Sequence, residues 1–101
     1  MNRLIIPLFA AAALALSACA PKLSIRHEDP SYAFVQVRVD GETRGFVAYG
    51  TTMSMRLGSG YHMVEAIPRG EETNPWADDG EGWAFYIDRK AEITLLPDMS
   101  R

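Results

Sequence analysis

The sequence predicts an all-β fold, a small antiparallel β-sandwich or small barrel of six to seven strands, placed after an N-terminal signal peptide. Three observations carry the prediction. Short runs alternate apolar and polar residues, the period-two pattern of strands with one buried face. Gly, Pro, Asn and Asp interrupt these runs at close spacing, as hairpin connections require. No helical period of any length appears after the leader. The 101 residues suffice for one domain after export, and divide into a signal peptide at 1–18, a tether at 19–31 and the sandwich at 32–101.

The elements follow in order. Residues 20–31 hold two prolines and mixed charge and read as a short tether. Within them Leu23 and Ile25 alternate with Ser24 and Arg26, enough for a short edge strand. Val35, Val37 and Val39 alternate with Gln36 and Arg38 up to Asp40-Gly41, a half-buried strand ending in a hairpin signal. Residues 44–49 form the next strand. A two-residue turn would put Glu42 on the side of Val39, so a longer turn that re-aims the register is expected. Met53, Met55 and Leu57 alternate with Ser54 and Arg56 until Gly58-Ser59-Gly60. Residues 62–67 make another strand, stopped by Pro68 and Gly70. Residues 71–82 have loop composition, with five carboxylates. Trp83, Phe85 and Ile87 then share one strand face, with Ala84 and Tyr86 on the other. After Asp88-Arg89-Lys90, the residues Ala91, Ile93 and Leu95 alternate with Glu92 and Thr94.

The leader places Arg3 before an apolar run over 4–16 and small residues Ser17-Ala18 ahead of Cys19. This is the layout of a secretory signal, and the run is short of the roughly 20 residues that span a bilayer. Leu16-Ser17-Ala18-Cys19 resembles the lipobox of bacterial lipoproteins. That resemblance implies cleavage between Ala18 and Cys19 and a diacylglycerol, with further acylation, on Cys19. Two or three acyl chains hold a protein on a bilayer essentially permanently. Ala20 stands where an aspartate would signal inner-membrane retention, so the resemblance implies the outer membrane, facing the periplasm.

From Val35 onwards the order of features resembles the PEGA-type domain, a small β-sandwich of bacterial envelope proteins. The matching residues are Val37-Arg38-Val39-Asp40-Gly41-Glu42 with Gly45 beyond, the stretch LGSGYHMV at 57–64, and Ile93-Thr94-Leu95. Coverage is 34–96. Met53 stands where the family usually places proline, and residues 69–82 are longer and more acidic than its pattern. The resemblance implies a structural or adhesive role and no catalytic residues.

Chemistry in the residues themselves is sparse. Ten basic residues against thirteen acidic ones leave no basic stripe for nucleic acid. Cys19 is the only cysteine, which excludes an internal disulfide and a cysteine metal cluster. Only His27, in the tether, and His62 could act as an imidazole base. His62 shares a strand face with Val64 and Ala66 and is expected to be partly buried and hydrogen-bonded to backbone. No hydrolase, phosphate-loop or two-histidine metal motif occurs, and no cofactor or metal is expected. The candidate interaction surface is Trp76 with Asp78, Asp79 and Glu81. Tyr49, Tyr61 and Tyr86 are candidates to point outward as further aromatic contacts beside Trp76; the alternative is that Trp76 folds over one end of the core and Tyr86 fills the opposite sheet. Trp83 and Phe85 read as core.

The expected function is therefore a non-enzymatic, membrane-anchored envelope lipoprotein whose sandwich serves structure or contacts another envelope protein or a glycan. Its membrane partner is reached through the lipid on Cys19. The alternative is a periplasmic inhibitor or metal-binding accessory protein that uses the acidic loop at 71–82, since hard cations take several oxygen ligands.

Overall fold

A computed structural model describes residues 20–97. The expectations for the signal peptide, the Ala18/Cys19 cleavage site and the lipidated Cys19 fall outside these described residues. Within them run β1 (Lys22–His27), β2 (Phe34–Val39), β3 (Glu42–Ala48), β4 (Thr52–Arg56), β5 (Gly60–Pro68), β6 (Trp83–Ile87) and β7 (Lys90–Leu95). They form a three-stranded sheet in the order β4-β1-β7 and a four-stranded sheet in the order β3-β2-β5-β6. All pairings are antiparallel except β1 with β7. Two separate sheets facing one core make this a sandwich, and the barrel alternative falls away.

The valine strand behaves as its alternation predicts. Val35, Val37 and Val39 of β2 are buried, facing Leu23 and Ile25 of β1 within one cluster that also takes in Val47, Val64, Ile87 and Leu95. Each such side chain contributes about 1.5–3 kcal/mol when fully withdrawn from water. β4 supplies the half-buried Met53 and Met55, which pack against the same cluster.

β1 corrects the tether expectation. Residues 22–27 are the central strand of their sheet, paired on both sides, not an edge strand or a linker. Leu23, Ile25 and His27 point inward and are 0 %, 1 % and 0 % exposed. The third inward position is a histidine, so the apolar alternation stops after two residues and understates the strand. Ser24, on the outer side, is also covered, and its hydroxyl lies 3.1 Å from that of Ser54 on β4.

The β2–β3 hairpin corrects a second expectation. The turn has two residues, Asp40 and Gly41, with φ of 53° and 81°, the left-handed pair that matches strand twist. Val39 pairs with Glu42, then the register shifts between Val37 and Arg38 so that Arg44 is left without an opposite number. This bulge, not a longer turn, re-aims β3 and brings Val47 opposite Val35 in the core. Gly45 follows the bulge at φ 148°, a backbone conformation that strains any residue with a side chain, and the Met53 methyl packs over it, 3.0 Å from where a Cβ would lie.

The chain crosses between the sheets four times, from β1 to β2, β3 to β4, β4 to β5 and β6 to β7. These crossings put residues 20–22, 56–60 and 88–90 at one end of the sandwich. Residues 27–32, 49–51 and 96 lie at the other, as the bonds Leu57 N to Pro21 O, Lys22 N to Arg89 O and Gly50 N to His27 O record.

Candidate functional site

The two sides of the sandwich differ. On one side β3 passes to β4 through Tyr49-Gly50-Thr51, where Thr51 N donates to Ala48 O at 3.1 Å. On the other, β6 and β7 are the outer strands of different sheets, joined only through Asp88-Arg89 and not paired with each other. Trp83 and Phe85 of β6 and Ala91 and Ile93 of β7 face inward here and remain half-buried. Between them opens a groove of about 770 Å³, closed at one end by Trp76 and Leu96. That volume falls within the range of ligand and peptide clefts. The main-chain groups on the open edges of β6 and β7 have no strand partner among the described residues, so the groove has two hydrogen-bonding margins as well as an apolar floor.

Trp76 is placed by Asn74. The Asn74 side chain is fully buried; its Oδ1 accepts from Trp76 N at 3.1 Å and its Nδ2 donates to Glu81 O at 3.2 Å. Its own amide donates to Gly80 O at 2.7 Å, so one residue gathers both ends of the loop. The indole of Trp76 then lies edge-on to His27 and Tyr32, with centroids 6.2 and 5.4 Å away. Its Nε1 donates to Leu96 O at 3.1 Å. Trp76 therefore folds over that end of the core and also forms a wall of the groove.

The structure brings Trp76, Asp78 and Asp79 together with Trp83 around a smaller hollow of about 290 Å³ beside the groove. Glu81 takes part through its backbone, with its amide donating to Asp79 Oδ1 at 2.9 Å, and its side chain does not line that hollow. No group of three or more His, Cys, Asp or Glu side chains in metal-holding geometry occurs among the described residues.

Both histidines are engaged. His27 Nε2 donates to Tyr32 O at 2.7 Å while Nδ1 accepts from Asp29 N at 3.4 Å, a pattern that puts the ring proton on Nε2. His62 directs Nε2 to Gly58 O at 2.6 Å and Nδ1 to Asp40 Oδ2 at 2.7 Å. The Gly58 carbonyl first, and the Asp40 carboxylate second, hold the imidazole above its ordinary value. Asp40 is held below the usual carboxylate range, chiefly by the Met63 amide at 2.9 Å and then by His62. The backbone bond expected for His62 is present, and the carboxylate partner is an addition that residue spacing did not announce.

Tyr49, Tyr61 and Tyr86 are exposed, as expected, by 51 %, 80 % and 56 %. Tyr61 and Tyr86 meet edge to face at 5.2 Å on the outer side of the four-stranded sheet, where Phe34 and Phe46 are exposed as well. Sequence reasoning missed the groove because Trp83 and Phe85 carry the period of core residues. The one local signal was the short Asp88-Arg89 link after a wholly apolar strand. Comparison with family models, with curated proteins and with solved structures returns no match.

Proposed function

We propose that this chain is a non-enzymatic envelope lipoprotein, held on the outer membrane through Cys19, whose sandwich binds an extended segment of another envelope protein in the β6/β7 groove. The observation that carries the reading is the pairing of two free strand edges with an aromatic floor of Trp76, Trp83 and Phe85. Free main-chain donors and acceptors favour a polypeptide over a glycan, because an added strand satisfies them in register while alternate side chains enter the groove. Glu92 on the margin and Asp78 and Asp79 beyond Trp76 favour a segment that carries lysine or arginine beside its apolar residues. The full engagement of both imidazoles supports a binding role over hydrolysis. The lipobox and the resemblance to PEGA-type envelope domains support the location.

Two measurements test this. Intact mass of the membrane-extracted protein should show diacylglycerol and fatty acid on Cys19, lost with membrane retention in Cys19→Ala. A photo-crosslinking residue at Phe85 in the native cells should join a discrete protein through an extended, basic, apolar peptide, whereas the same residue at Phe46 should not. Crosslinks at Phe85 to sugar alone, or equal yields at both positions, would remove the polypeptide groove.

A further inference from the structure

One cross-strand row of the three-stranded sheet is wholly cationic. Lys22 on β1 is flanked in register by Arg56 on β4 and Lys90 on β7. Side chains in one row share a face, here the outer one, and like charges directly opposite each other oppose pairing. Arg89 adds a fourth cation next to Lys90, and none of the four takes a carboxylate partner among the described ion pairs. The next rows outward are Ser54, Ser24 and Glu92, then Thr52, Arg26 and Thr94, so the cationic row is confined to one end.

That end is where the chain arrives from the leader. Lys22 is the third residue after Cys19, and the Arg56 guanidinium donates to Ala20 O at 2.9 Å. Carboxylates are also present at this end, in Asp40, Glu42 and Asp88, but Asp40 is engaged by His62. The acidic loop leaves β5 from the opposite end, so Glu71, Glu72, Asp78 and Asp79 lie away from the row. A chain with a net charge of −3 and no basic run in its sequence thus gathers four cations from separate segments at the end where β1 begins.

We propose that the row Arg56, Lys22 and Lys90, with Arg89, binds the anionic phospholipid headgroups of the membrane from which the chain emerges. It sets the sandwich on the bilayer in one orientation, with the groove's far end and Trp76 pointing away. The inference rests on the lipid-anchored reading for the membrane concerned, but the binding chemistry belongs to the row alone.

All seven strands and the core lie within 20–97, so the unlipidated chain 20–101 is a fair test object. Its partition onto phosphatidylglycerol vesicles at low salt should exceed that onto phosphatidylcholine vesicles, in spite of its net negative charge. Each cation removed should lower that partition about fivefold, so Lys22→Gln with Arg56→Gln and Lys90→Gln should lower it on the order of 100-fold. Arg69→Gln, at the opposite end, should change it less than twofold. Salt at 0.5 M should abolish the wild-type preference, a readout that stands even if the triple variant fails to fold. Equal partition onto both vesicles, or losses no larger than that of Arg69→Gln, would overturn the proposal. The assay contains no acyl chain, so its failure leaves the mass measurement at Cys19 intact, and an unacylated Cys19 leaves the vesicle result intact.

Discussion

Replacing Asn74 by alanine should detach the wall of the groove from the rest of the fold. The substitution removes an acceptor from Trp76 N and a donor from Glu81 O. A net contribution of about 0.5–1.5 kcal/mol for each bond sets a lower limit of about 1–3 kcal/mol for the pair. Leaving a buried donor and acceptor unmet adds to it, by about 1–3 kcal/mol for each group that water cannot reach. Glu81 is exposed and Trp76 only half-buried, so water relieves much of that addition, and a total of about 2–3 kcal/mol is expected. Because the loop is held chiefly by this residue, the loss should appear first as local opening. Amide exchange at Trp76 should accelerate roughly 30-fold or more, that being the factor for about 2 kcal/mol. Tryptophan fluorescence should shift to the red as the indole leaves His27 and Tyr32, while the amides of β1 and β2 stay protected. Asn74→Asp, which keeps the acceptor and sets a carboxylate against the Glu81 carbonyl, should be no better than alanine. A Trp76 amide still protected in Asn74→Ala, with stability within 0.5 kcal/mol of wild type, would refute the assignment of Asn74 as the organiser of the loop.

Further expectations concern the core, the groove and the turn. Ile25→Ala should cost about 2–5 kcal/mol in urea unfolding, a loss that a tether residue would not show. Gly82→Ala should displace the start of β6, since the added Cβ would lie 2.6 Å from Val64 O and 2.9 Å from Glu65 Cγ. The expected cost is about 1–3 kcal/mol, with altered near-ultraviolet dichroism from Trp83. For the Asp40 and His62 pair, the contribution from His62 is complete below about pH 6.5 and is lost as pH rises through its elevated folded value. That of Asp40 is present above its ordinary value of 3.8 and is lost as pH falls through its lowered folded one. Wild type should therefore exceed Asp40→Asn by about 0.5 kcal/mol near pH 5, as for an exposed pair, and the gap should close by pH 9; a gap independent of pH would exclude the pair.

How far the sequence revealed this molecule follows from what kind of information each feature needs. Val35, Val37 and Val39 declare a strand because one buried face repeats at the side-chain period of two, and that period is local. β1 showed only as a short edge strand because its third inward residue is His27, whose burial depends on Tyr32, Tyr49 and Trp76 arriving from other parts of the chain. The bulge at Arg44 was signalled only indirectly, by the conflict between Val39 and Glu42, and its location emerges only from the pairing of Val37 with Gly45 and of Arg38 with Thr43. Asn74 looks like any polar loop residue until both ends of its loop are in place. The groove is the least local feature of all, because Trp83 and Phe85 would have the same alternation whether or not a further strand covered them.

The position of β1 has a mechanical consequence. Only Ala20 and Pro21 separate Cys19 from Lys22, a reach of at most about 10 Å. A pull applied at the amino end is therefore delivered almost without slack into the middle strand of a sheet. β7 runs parallel to it and leaves the fold from the opposite end, so tension between the two termini slides β1 past β7 along their common axis. Their hydrogen bonds lie across that direction and bear the load together, where an antiparallel hairpin pulled at its open end would surrender them one at a time.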